Sequence, residues 1–130
     1  MKHYGILFIT DSNVDKYKEL EECGHIHIES DDAVFPMLAK CDYLNIKGKN
    51  VSLPKLSECG ALYINADNAN MPVLAKSGEI FVSAENANLP LLKKCGNLYV
   101  NAKNAILTSL DDIGGYLYLS ADMETFRKQA

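Results

Sequence analysis

Leu56-Ser57-Glu58-Cys59-Gly60-Ala61-Leu62-Tyr63-Ile64-Asn65-Ala66-Asp67-Asn68-Ala69-Asn70-Met71-Pro72-Val73 is followed directly by Leu74-Ala75-Lys76-Ser77-Gly78-Glu79-Ile80-Phe81-Val82-Ser83-Ala84-Glu85-Asn86-Ala87-Asn88-Leu89-Pro90-Leu91. The two stretches are one eighteen-residue phrase written twice. Outward from them, leucines recur at 20, 38, 56, 74, 92 and 110, followed by Cys23, Cys41, Cys59, Ser77, Cys95 and Ile113. Asn50, Asn68, Asn86 and Asn104 keep the same phase, as do Pro36, Pro54, Pro72 and Pro90. The pattern is L-x-x-C-G-x-L-x-I-x-A-x-N-A-x-L-P-x, and self-similarity at a fixed short period marks a stacked repeat. The ends break phase: Gly5-Ile6-Leu7-Phe8-Ile9 matches Gly24 to Ile28 at a spacing of nineteen, and Gly114-Gly115 inserts a residue before Tyr116-Leu117-Tyr118-Leu119. Atypical end copies are expected of a capped solenoid. The chain therefore reads as a single repeat domain over 1–130, with an atypical rung or cap at 1–19, regular repeats at 20–109, and a last rung and cap at 110–130.

Within each copy a stretch such as Ala61-Leu62-Tyr63-Ile64-Asn65-Ala66 alternates apolar and variable residues, the period of a strand with one buried face. Eighteen residues are too few for a strand and a full helix. The pattern predicts a mainly β fold, a single-domain parallel β-solenoid of six to seven rungs with short terminal caps, roughly 30 Å long at about 4.8 Å per rung. Proline lacks an N–H, so Met71-Pro72-Val73-Leu74 belongs on an extended or turning side of the coil. The glycine before each strand is expected to make a corner, with positive φ as its reason. Helical turns are expected at Asp15 to Glu19 and at Asp122 to Lys128, the latter laying Met123 and Phe126 over the last rung.

The repeat, and the run Leu107-Thr108-Ser109-Leu110-Asp111-Asp112-Ile113-Gly114-Gly115-Tyr116-Leu117-Tyr118-Leu119 in particular, resembles short members of the leucine-rich-repeat-like superfamily found in bacterial and bacteriophage proteins. The likeness spans nearly the whole chain, with eighteen residues per copy where the usual repeat has about twenty to twenty-nine. It implies a binding or scaffold protein and carries over no catalytic residue.

The chain has 130 residues and a formal net charge of −4, with a sequence pI near 5.3. That balance gives no general attraction to nucleic acid or to an anionic membrane. Apolar runs are only a few residues long, so neither a transmembrane helix nor a signal peptide is expected. The expected location is cytoplasmic, with the four cysteines as thiols. At this length about two-thirds of the unfolded surface can be buried, enough for a core without disulfides.

The outward strand positions form the column Phe8, His27, Asn45, Tyr63, Phe81, Tyr99 and Tyr118, aromatic throughout from Tyr63 and flanked by Tyr43 and Tyr116 one column over. Two readings stand: ladder packing between neighbouring strands, or a recognition surface for a protein partner formed by Tyr63, Phe81, Tyr99, Tyr118, Tyr43 and Tyr116. His25, His27 and Glu29 share one strand face and could present three metal ligands, but their neighbours supply no further ligand. Cysteines eighteen apart form a line, which cannot surround one ion as a tetrahedral zinc site requires. The asparagines are expected to bond one another along a turn. No nucleophile paired with a base, phosphate-cradling loop or His-Glu-x-x-His is present, so neither an enzyme nor a cofactor is expected. The acidic group Asp11, Glu29, Asp31 and Asp67 is the one region where carboxylate chemistry could gather. The functional expectation is a non-catalytic repeat protein mediating protein–protein interaction through its aromatic strand face. The alternatives are a carbohydrate-binding module using the same rings with Asn65, Asn101 and Asn104, or a small phage-borne inhibitor of a host enzyme. The first strand has no rung before it, so a homodimer through the solenoid ends is a further expectation.

Overall fold

The structure, a computed structural model, describes residues 2–120. Its elements are β1 (Lys2–Thr10), a 3-10 turn (Val14–Tyr17), β2 (Glu22–Glu29), β3 (Asp32–Val34), β4 (Lys40–Lys47), β5 (Asn50–Ser52), β6 (Glu58–Asn65), β7 (Asn68–Asn70), β8 (Lys76–Asn88), β9 (Lys94–Ile106), β10 (Asp112–Ile113) and β11 (Leu117–Ser120). Every strand pairing is parallel, and the chain coils as a solenoid of about seven turns. The broad face runs β1-β2-β4-β6-β8-β9, with β10 and β11 added on β9; a narrower face runs β3-β5-β7 and continues into the second halves of β8 and β9. Among the described residues there is no α-helix, and hence none long and apolar enough to cross a membrane.

Seven columns of side chains fill the coil. In the third rung they are Cys41, Leu44, Ile46, Val51, Leu53 and Leu56, with Gly48 where later rungs carry Ala66 and Ala102. Two columns are the most completely enclosed: Phe35, Leu53, Met71, Leu89 and Leu107 are fully buried, as are the opening leucines Leu20, Leu38, Leu56, Leu74 and Leu92, with Leu110 nearly so. Each column repeats one shape on every rung, so the core is built by stacking rather than by interleaving distant segments. Burial of one such leucine contributes roughly 1.5–3 kcal/mol.

Proline falls at the second position of a tight turn: Leu56 N–H reaches the Leu53 carbonyl at 3.3 Å and Leu74 N–H the Met71 carbonyl at 3.4 Å, spanning Pro54 and Pro72. This position suits its fixed φ and needs no N–H. The glycine expected before each strand lies inside it, as Gly24 in β2 and Gly60 in β6, and its cause differs from the one expected. No described glycine has positive φ; the constraint is proximity to the next rung. A Cβ on Gly78 would lie 2.6 Å from the Gly60 carbonyl oxygen, and one on Gly24 2.6 Å from that of Tyr4.

Both phase breaks appear as irregular register. Tyr4 and Gly5 together face Gly24, between the pairs His3–Cys23 and Ile6–His25. At the other end Gly114 to Tyr116 span what Gly96 and Asn97 span on the rung below. The N-terminal helical turn exists as Val14–Tyr17, its Val14 and Tyr17 packed against the core. The expected turn at Asp122 to Lys128 lies outside the described residues.

Candidate interaction face

Parallel, in-register pairing puts equivalent residues side by side, so the outward positions of the broad face form columns. Phe81 pairs with Tyr99 and Tyr99 with Tyr118. Their rings are 4.2 and 4.6 Å apart with interplanar angles of 7° and 9°. Tyr63 and Phe81 are looser, at 6.2 Å and 30°, and the Tyr63 hydroxyl donates to the Glu79 carboxylate at 2.9 Å. That hydrogen bond holds the Tyr63 phenol above its ordinary range.

The stripe does not begin at Tyr63. Asn45 is the strand partner of Tyr63, but the ring of Tyr43 leans across to lie 5.5 Å from Tyr63 and 5.6 Å from His27. Tyr43 has the small Ala61 as its own partner, which leaves it room to lean. His27 then stacks on Phe8 at 5.0 Å and 16°. A continuous ladder therefore runs Phe8–His27–Tyr43–Tyr63–Phe81–Tyr99–Tyr118, about 29 Å long at the spacing of parallel strands. Tyr116 stands outside it, 84% exposed. The lean of Tyr43 was signalled only by the short Asn45 and Ala61 beside it.

Where Asn45 interrupts the column, a notch of about 290 Å³ opens, lined by Phe8, Thr10, His27, Glu29, Asn45 and Lys47. It has an aromatic wall and a floor carrying both charges. Glu29 and Lys47 are strand partners, so the notch offers a partner one acid and one base beside an apolar rest.

His25, His27 and Glu29 do share a face, yet the two imidazoles are engaged with other rings: His25 stacks on Tyr43 at 5.3 Å, beside the ladder, and His27 on Phe8 within it. No group of three metal-ligating side chains converges among the described residues. Asp11, Glu29 and Asp31 line a corner cleft of about 400 Å³ with Lys47 and Lys49, and Asp67 is not part of it. There Ser30, nearly buried, donates to Asp11 at 2.5 Å, which ties the first rung to the second.

The asparagine column bonds as a chain. Asn104 donates to Asn86, Asn86 to Asn68, Asn68 to Asn50 and Asn50 to Asp32, at 2.9, 2.8, 2.9 and 3.1 Å. Asp32 ends it because a carboxylate only accepts. A second, shorter ladder joins Asn88 to Asn70 at 2.6 Å.

Fold and face together define a parallel β-solenoid of about seven turns with about eighteen residues per turn and one aromatic-ladder surface. Comparison with protein-family models, curated proteins and solved structures finds no match.

Proposed function

We propose that this chain is a non-catalytic repeat protein of the leucine-rich-repeat-like kind that binds a protein partner through its aromatic ladder. The observation that carries this reading is the form of the ladder: an unbroken row of rings with a charged notch in its first half. In the tight half Tyr99 has both faces covered, by Phe81 and Tyr118, and solvent sees its edge. Sugar recognition uses ring faces, and the covered faces at the middle of this stack disfavour the carbohydrate reading. Edges, phenol hydroxyls and a notch suit an irregular protein surface, where a few buried anchors carry most of the affinity. The four free thiols fit a reducing compartment such as the cytoplasm.

The test compares wild type with Tyr43→Ala plus Tyr63→Ala in pull-downs from native lysate, with bound proteins identified by mass spectrometry and folding checked by circular dichroism. A specific protein held by wild type and lost from the folded variant is the expected result. Equal capture by both, or no specific capture, overturns the reading.

A second reading, self-association through the N-terminal end, rests on β1. It ends the sheet path with β2 as its strand neighbour, and its outward residues Tyr4, Ile6 and Phe8 are about two-thirds exposed. An open edge beside apolar side chains invites a second copy. Light scattering should then give a dimer that Ile6→Lys converts to monomer; a monomeric wild type at high concentration removes this reading.

A further inference from the structure

The second residue of β2, β4, β6, β8 and β9 is Cys23, Cys41, Cys59, Ser77 and Cys95, paired in register from rung to rung. Adjacent strands lie about 4.8 Å apart, within the Cα window of about 4.4–6.8 Å that a disulfide needs. All four cysteines are free and buried. The column has a common habit: Cys59, Ser77 and Cys95 each donate to the carbonyl two residues on, at 3.2, 3.1 and 3.1 Å. Cys23 departs from it. Its thiol points at the Cys41 sulfur, 2.6 Å away. A groove of about 300 Å³ passes this column, lined by the three clustered cysteines with Tyr4, Lys40 and Asp42 among its walls. A small oxidant can therefore reach the pair.

We propose that Cys23 and Cys41 form an oxidative modification site, which a peroxide-class oxidant converts into a disulfide locking the second rung to the third. The chemistry balances without another reactant. The Cys41 thiolate attacks one peroxide oxygen, the O–O bond breaks, and the departing hydroxide takes a proton to leave as water. Cys23 then attacks the sulfenic sulfur of Cys41, its thiol proton joins the displaced hydroxide as a second water, and the S–S bond forms. Two thiols lose two electrons between them, and one peroxide becomes two waters. The order of attack follows from the hydrogen bonding: the Cys23 thiol, donating to Cys41, holds Cys41 below its ordinary value, while Cys23, the donor, is held above. Cys59 directs its own S–H to the Ala61 carbonyl, so the link is assigned to Cys23. The bond joins the two strands that carry His25, His27 and Tyr43.

The full chain is treated with hydrogen peroxide, capped with N-ethylmaleimide and digested with trypsin without reductant. The expected result is a loss of two hydrogens and a linked pair of peptides, 19–40 joined to 41–47, lost in Cys23→Ser and in Cys41→Ser but kept in Cys95→Ser. Ser77 already occupies this column, so serine fits it, and circular dichroism verifies each variant. A dominant link between Cys41 and Cys59, oxygen addition at Cys41 without a link, or no reaction overturns the assignment. So does an equal yield of the same link from guanidinium-unfolded chain.

Discussion

The first and last halves of the rod share a core and differ in their face. From Tyr63 onward the rings are strand partners of one another, and Phe81, Tyr99 and Tyr118 close to within 4.2 and 4.6 Å. In the first half Asn45 breaks the column and Tyr43 crosses from the next one, its contacts tilted by 38° and 44° at 5.5 and 5.6 Å; the widest gap, 6.2 Å between Tyr63 and Phe81, lies where the two halves meet. The thiol column divides likewise: Cys23, Cys41 and Cys59 adjoin, whereas Ser77 isolates Cys95. The teaching is that a perfect column spends its aromatic surface on itself. An interrupted one leaves room for something else, so the first half is the place to seek specificity and the second the place to seek stability.

Removing one ring from each half should break the two apart most sharply. Tyr99 is held between two parallel rings, and aromatic pairs contribute about 0.5–1.5 kcal/mol each. Tyr99→Ala should therefore lower stability by about 1–3 kcal/mol in urea unfolding. Tyr43→Ala, losing two tilted contacts and the looser stack on His25 at 5.3 Å and 28°, should cost less, about 1 kcal/mol, and should act chiefly on partner binding. Equal costs would show that the ladder is uniform in energy whatever its geometry.

Restoring the column is the converse. Asn45→Tyr would set a ring between its strand partners His27 and Tyr63, displacing the Tyr43 ring that leans there, and fill the notch. Cross-strand aromatic pairs suggest a gain of about 0.5–1 kcal/mol, with partner capture lost. A stabilised variant that still binds would move the contact surface to the second half.

Much of this was legible in the sequence, and for a physical reason. A period repeated on every rung writes each buried column many times, so Leu20 through Leu110 announce themselves, as does the chain from Asn104 to Asp32. The shifted spacing at Gly5 and the extra residue at Gly114-Gly115 showed where register slips. What the sequence did not show depends on one rung alone. The lean of Tyr43 arises from local space beside Ala61 and Asn45, which no period records. The ladder from Asn88 to Asn70 occupies only two rungs, since Ser52 and Ile106 flank it, and so left no column to read. The recurrence of glycine marks the position but not its cause: inside each strand, close approach of the neighbouring backbone leaves no room for a Cβ, whatever the value of φ.

An effect seen only at high pH separates the isolated thiol from the clustered ones. Burial, the dominant cause, pushes the Cys95 thiol from 9.0 up to about 11, against a smaller opposing pull from the Ile80 backbone. The folded state thus favours the protonated thiol more than the unfolded state does. This contribution is whole below pH 9, where both states are protonated, and it is lost as pH rises from about 9 towards 11, because ionisation then stabilises the unfolded chain first. Serine does not titrate there and already fits the column at Ser77. Urea midpoints for wild type and Cys95→Ser should therefore run parallel below about pH 8 and diverge above about pH 9, with wild type falling faster. Since both proteins keep Cys23, Cys41 and Cys59, the difference between the two curves isolates Cys95 from the cluster. Parallel curves across the whole range would mean that Cys95 ionises alike in both states, and that its separation by Ser77 has no electrostatic consequence.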